Sequence, residues 1–125
     1  MLYVFPSDTY VIAIRDYDRP YDDPIRVKRD DIVKPVTDGS QVTDMMGWTW
    51  CIAPDGRAGW TPDSWCESTA EGWRLLRDFS ALELTIRKGD RLRLLFSESG
   101  FLFCARGNEE EGWVPDAVVA IANPK

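Results

Sequence analysis

Apolar residues along this chain fall in short runs and in period-two alternations rather than at helical spacing. Tyr10-Val11-Ile12-Ala13-Ile14 is a β-branched apolar run and predicts a strand. Asp31-Ile32-Val33-Lys34 predicts another, cut by Pro35. Gly47-Trp48-Thr49-Trp50-Cys51-Ile52 alternates as a half-buried strand does. Ala53-Pro54-Asp55-Gly56 is a turn signal, and Arg57-Ala58-Gly59-Trp60-Thr61 returns as the second arm of a hairpin. Further strands are predicted over 74–77, 91–96, 101–106 and 111–114, with a turn at Gly107-Asn108. No 12-residue window has convincing helical periodicity. Many short strands at this spacing predict an all-β fold of small barrels or sandwiches.

The pattern occurs twice. At an offset of 53, Gly47, Cys51, Gly59, Trp60, Pro62 and Asp63 fall on Gly100, Cys104, Gly112, Trp113, Pro115 and Asp116. Trp48 and Trp50 meet Phe101 and Phe103 in kind. The front halves match at other offsets: Arg15-Asp16-Tyr17 on Arg77-Asp78-Phe79, and Lys28-Arg29-Asp30-Asp31 on Arg87-Lys88-Gly89-Asp90. Length differences of this kind concentrate in loops, where no core contact is lost. Two copies of one unit are therefore expected, residues 1–67 and 73–125, joined by Ser68-Thr69-Ala70-Glu71-Gly72. A joint that short predicts closely packed neighbours.

The repeated motifs resemble those of Src-homology-3 (SH3) domains. The family's opening Ala-Leu-Tyr-Asp-Tyr is matched by Ala13-Ile14-Arg15-Asp16-Tyr17 and Leu75-Leu76-Arg77-Asp78-Phe79. Its diverging turn, Lys-Lys-Gly-Asp, is matched at 28–31 and 87–90, and its acidic long loop at Asp18 to Pro24. Its closing Gly-aromatic-x-Pro-x-x-Tyr-Val is matched by Gly59-Trp60-Thr61-Pro62-Asp63-Ser64-Trp65-Cys66. The resemblance implies two small five-stranded SH3-like barrels in tandem. It also implies an interaction module that binds proline-rich peptides in a polyproline II conformation, between ridges of aromatic rings.

Carried over by position, the implied groove of the first copy is Tyr17, Trp48, Trp60, Pro62 and Trp65, with Asp22 and Asp23 as the acidic loop beside it. Pro24 stands at the family's most direct acidic position. Arg15 replaces the first signature Tyr and adds a cation beside the groove, so a ligand carboxylate fits there as well as a basic residue. Trp48 and Trp50 share a strand face opposite Thr49 and Cys51; compact Cys51 suits the crowded core, which turns the Trp face outward. The second copy has Phe101 for the groove Trp, Val118 for the last Tyr and only Glu83 in its shortened loop, so its groove is expected to be degenerate. At roughly 50 residues it also lies near the size at which a lone core is marginal.

Composition narrows the chemistry. Histidine is absent, which removes Ser-His-Asp and Cys-His machinery, and no acid, base and nucleophile constellation emerges, so no enzyme and no cofactor are expected. Cys51, Cys66 and Cys104 form no C-x-x-C pair; reduced, buried thiols are expected and no metal site. Fifteen Lys+Arg against 21 Asp+Glu, a net charge of -6, oppose nucleic-acid binding. Glu109-Glu110-Glu111 reads as a solvated hairpin tip. The opening Met1 to Asp8 lacks a basic n-region and no 18-residue apolar stretch occurs, so neither a secretory signal nor a membrane span is expected, and the location is expected to be cytoplasmic. The function expected is a non-enzymatic adaptor binding an extended, proline-rich peptide of a partner protein. The competing expectation is a structural module whose aromatic surface is buried in a homodimer or larger complex.

Overall fold

A computed structural model describes residues 2–43, 45–107 and 110–122. Its strands in chain order are β1 (Leu2–Val4), β2 (Tyr10–Ala13), β3 (Arg26–Val27), β4 (Ile32–Pro35), β5 (Trp48–Ile52), β6 (Ala58–Pro62), β7 (Cys66–Thr69), β8 (Gly72–Leu75), β9 (Phe79–Ser80), β10 (Arg91–Glu98), β11 (Phe101–Arg106), β12 (Glu110–Pro115) and β13 (Val119–Ala122). The only helical pieces among the described residues are two single 3-10 turns, Asp63–Trp65 and Asp116–Val118, each straight after a proline that ends a strand. The all-β expectation holds. Asn108 of the expected turn, Glu109 of the acidic tip and residues 123–125 lie outside the described residues.

The chain divides into two compact units that are not its two halves. A split unit comprises Met1–Tyr21 with Glu83–Lys125, and a central unit comprises Asp22–Leu82. In the split unit the sheet order is β12-β11-β10-β2-β13, with β1 alongside β10. In the central unit it is β6-β5-β4-β8-β7, with β3-β9 as a separate pair. The pairings between these strands are antiparallel, Glu83 adds one parallel bridge to Trp113, and among the described residues no sheet closes into a barrel. Curvature enters the split unit through a register shift between Leu94 and Phe96 of β10, which bends a strand without sealing the sheet.

The division reflects an exchange of opening strands. β2, from the first copy, lies between β10 and β13 of the second, with Ile12 opposite Arg91 and Ala13 opposite Val119. β8, from the second copy, lies between β4 and β7 of the first, with Arg74 opposite Ile32 and Leu75 opposite Cys66. The expected boundary at 68–72 is thus corrected. That segment is the turn of the β7–β8 hairpin, in which Thr69 faces Gly72 and the Thr69 hydroxyl donates to the Gly72 carbonyl at 2.8 Å. The physical reason is local: a joint of a few residues between two antiparallel neighbours closes as a hairpin, which ties the second opening strand to the first closing strand.

Each unit buries its own apolar set. Val11, Ala13, Leu84, Ile86, Leu92, Leu94, Cys104 and Val114 form the core of the split unit. Ile25, Val27, Val33, Cys51, Leu75 and Phe79 are buried in the central unit. In both cores the traded strand supplies the residues that its sequence alternation points inward: Val11 and Ala13 from β2, Leu75 from β8. Gly59 admits no larger residue there, because a Cβ would stand 2.9 Å from Ile25 Cγ2.

Candidate functional site

The hairpin β5–β6 builds the centre of the site. Trp48 faces Pro62, Thr49 faces Thr61 and Trp50 faces Trp60. Cys51, Gly59 and Thr61 are buried, so the face carrying Trp48, Trp50 and Trp60 is the outer one, and all three indoles are half-buried there. This matches the face assignment read from the alternation. The Trp60 ring meets Trp50 edge-on at 5.2 Å between centroids. After Pro62 the 3-10 turn begins, held by the Thr49 hydroxyl donating to Asp63 Oδ1 at 2.7 Å. It ends on Trp65, only 5% exposed and edge-on to Phe79 at 5.5 Å.

Six of the seven expected site residues, Asp22, Asp23, Trp48, Trp60, Pro62 and Trp65, belong to the central unit; Tyr17 belongs to the split unit. The strand exchange separates them. In the central unit the position assigned to Tyr17 is taken by Phe79, which is buried. The repeat held the signal for this, since Arg77-Asp78-Phe79 is the second copy of Arg15-Asp16-Tyr17. The Trp65 wall is also not bare. The guanidinium carbon of Arg77 lies 4.8 Å from the Trp65 ring centroid, in cation–π geometry. In the repeat, Arg77 is the counterpart of Arg15.

The acidic loop is divided as well. Asp23 is exposed and accepts from Arg57 Nε at 2.9 Å, while Arg57 Nη1 reaches Asp55 at 2.7 Å. Asp22 is exposed beside it. In the split unit, Asp18 pairs with Arg87 at 2.8 Å, and Tyr17 donates its hydroxyl to the Glu83 carboxylate. The Arg19 N–H is held by the Thr85 hydroxyl at 3.1 Å, and Tyr17 and Ile86 exchange backbone hydrogen bonds at 2.9 Å. Partial burial, with the adjoining Glu83, pushes the Tyr17 hydroxyl far above its ordinary value. Burial also raises the Glu83 carboxyl, and the Tyr17 hydrogen bond pulls part of that back. The other groove positions here are Phe101 and Pro115, half-buried, and Val118, buried.

The thiols of Cys51, Cys66 and Cys104 are free, and burial pushes them up to about 11, 12 and 12, so at neutral pH they are protonated. Among the described residues, no group of three or more Cys, Asp or Glu side chains is placed to hold a metal ion, and no helix is long and apolar enough to cross a membrane.

Residues 10–68 match the family described as the variant SH3 domain. That stretch is thus similar to an SH3-type domain, a kind that generally serves as a non-enzymatic protein–protein interaction module. The matched stretch runs through both units: 10–21 in the split unit and 22–68 in the central one. A search of curated proteins and a search of solved structures each returned no match.

Proposed function

We propose, with a variant SH3 domain over residues 10–68 as premise, that the chain is an adaptor whose central unit binds a short extended peptide of a partner protein. The observation that carries this reading is the outer face of the β5–β6 hairpin, where the half-buried indoles of Trp48, Trp50 and Trp60 stand together, with Pro62, opposite Trp48, and Trp65 buried beside them. Flat rings in that order form ridges for an extended, proline-containing chain, whose preformed backbone loses little entropy on docking. Phe79 supports the floor in place of Tyr17. So short a ligand supports an affinity of about -8 kcal/mol, in the micromolar range. Tryptophan fluorescence during titration with proline-rich peptides tests it. Quenching or enhancement that saturates, and that is lost in Trp48→Ala, is the expected result. An unchanged signal at millimolar peptide refutes the reading.

A second reading has one observation in its favour. Val4, Ile12, Ile14 and Ile121 of the split unit are exposed, with Ile12 beside Ala120 across β2 and β13. Exposed apolar side chains such as Ile12 and Ile14, two residues apart on one side of the chain, suit self-association. A concentration-dependent dimer in analytical ultracentrifugation, abolished by Ile12→Lys, supports it.

A further inference from the structure

Arginines in both units divide into two groups. In the central unit Arg57 pairs with Asp23 and Asp55, and Arg74 pairs with Asp30 and Glu67. In the split unit Arg87 pairs with Asp18, and Arg106 with Asp90 and Glu110. Arg15, Arg26, Arg29, Arg77 and Arg93 have no such partner among the described residues, and of these Arg77 and Arg15 occupy the repeated Arg-Asp-aromatic motif. Both are exposed, and among the described residues neither guanidinium meets a carboxylate or a hydrogen-bond acceptor. They are also the same residue of the repeat, each at the groove position ahead of Asp78 or Asp16.

The acids that would attract a basic ligand are, by contrast, engaged. Asp23 is held by Arg57, and Glu83 accepts from Tyr17. The nearest acids in sequence are occupied too: Asp78 accepts from the Arg29 N–H and Asp16 from the Lys88 N–H, both at 2.8 Å, and Asp63 accepts from Thr49. Each unit thus presents an unsatisfied cation next to satisfied anions. In the central unit that cation is also oriented. The contact with the Trp65 ring restrains the Arg77 guanidinium, and the residue is exposed. A planar fork held in place loses little further entropy when it grips a carboxylate through two parallel bonds.

We propose, building on the peptide-binding reading, that the ligand of the central unit is an acidic extended peptide, whose Asp or Glu carboxylate pairs with Arg77 above Trp65. Arg15 offers the same grip in the split unit. A ligand Lys or Arg at that subsite would meet an unpaired cation, which selects against it.

The test uses the full chain and two synthetic peptides with one proline-containing extended sequence, one carrying two Glu and the other two Lys at the same positions. The Glu peptide is expected to bind at least about tenfold tighter at low salt, with the gap narrowing as salt screens the pair. Arg77→Gln should weaken the Glu peptide about tenfold and leave the Lys peptide unchanged, and Arg77→Lys, which keeps charge but not the fork, should recover only part. A thermal melt checks that each variant folds; Lys34→Gln, which removes an exposed cation of the central unit given no part in the site, is the charge control and is expected to leave binding intact. Equal or tighter binding of the Lys peptide overturns the acidic-ligand inference while leaving peptide binding standing, as does an Arg77→Gln variant that binds the Glu peptide as the parent does. Failure of both peptides at millimolar concentration removes the peptide-binding reading, and this inference with it. A single-stranded oligonucleotide of matched charge that binds more tightly than the Glu peptide also overturns it.

Discussion

The Asp16 carboxylate accepts a 2.8 Å hydrogen bond from the Lys88 N–H, 72 residues further along the chain. Asp78 does the same for the Arg29 N–H, 49 residues back. In each case the aspartate of one copy's opening motif caps the diverging turn of the other copy. The turns themselves match: Lys28 donates to Asp31 and Arg87 to Asp90, both at 2.9 Å. These bonds make the strand exchange testable at single amides. Removing an exposed carboxylate acceptor costs about 1 kcal/mol, which is roughly a fivefold faster exchange through local opening. Asp16→Ala is expected to speed hydrogen exchange at Lys88 and leave Arg29 alone, and Asp78→Ala to do the reverse. If Asp16→Ala speeds Arg29 instead, each copy keeps its own opening strand.

The same exchange decides what a fragment can do. Residues 70–125 contain β8, whose partners β4 and β7 are cut away, and lack β2, which lies between β10 and β13. With Val11 and Ala13 gone, Leu92, Leu94 and Val119 lose their cover. The fragment is expected to be largely unfolded by circular dichroism and amide dispersion. Adding a peptide spanning residues 8–21 should restore part of the structure; a cooperative melt of the fragment alone contradicts the exchange.

How much of this was legible in the sequence follows from what each signal depends on. Strand alternation and turn residues are local, so the β5–β6 hairpin and the Trp48 face are readable from residues 47–61. The choice of partner for the opening strand is not local. Tyr10 to Tyr17 and Trp73 to Phe79 carry one pattern, apolar alternation followed by Arg-Asp-aromatic, and either fits beside either set of neighbours. What separates them is the closeness of Thr69 to Gly72, which read as a linker and folds as a turn. The sequence pattern therefore groups Tyr17 with Trp48 and Trp65, whereas in the structure Phe79 is the residue packed on Trp65. The stacking of Arg77 on Trp65 was hidden for the same reason, since those residues come from different copies.

Glu83 sets a pH dependence whose sign is opposite to that of an ordinary ion-paired carboxylate. Burial raises its folded-state value above the usual 4.5, so the folded chain holds this proton more tightly than the unfolded chain does. Its contribution is fully present below the unfolded value and is lost as pH rises through the raised folded value. Glu83→Gln is expected to be nearly neutral at low pH and to gain on the parent toward pH 7, in paired urea melts that cancel the other carboxylates. Tyr17→Phe removes the hydrogen bond that favours the ionised form, so the Glu83 side-chain carbon should titrate at higher pH still. A parent-minus-Glu83→Gln difference that is flat with pH contradicts this account.

Asp30 holds a left-handed backbone, φ +75°, where the second copy has Gly89 at φ +94°. A non-glycine residue in that region costs about 1 kcal/mol. Against this, Asp30 pairs with Arg74, an exposed contact weakened by solvent screening, and Arg74 keeps Glu67 in any case. The backbone effect is the larger. Asp30→Gly is expected to stabilise the chain by about 0.5 kcal/mol in denaturant titration. A loss of similar size would mean the ion pair outweighs the strain.

Gly72 and Gly39 separate backbone strain from steric clash at the exchange point. Both have positive φ, +146° and +83°. Around Gly39 a Cβ would meet nothing within 4 Å, so Gly39→Ala should cost only the backbone penalty of about 1 kcal/mol. At Gly72 a Cβ would stand 2.5 Å from the Val33 carbonyl oxygen and 3.1 Å from Ile32 Cγ2. A carbonyl fixed in β4 cannot swing away as a flexible side chain does, so β8 must shift off β4. Gly72→Ala is expected to cost about 3 kcal/mol or more, three times its control. The loss should appear first as faster hydrogen exchange in β8, at Arg74 and Leu75. Equal costs for the two variants would mean that β8 is not seated against β4, and the paired strands of the central unit would have to be redrawn.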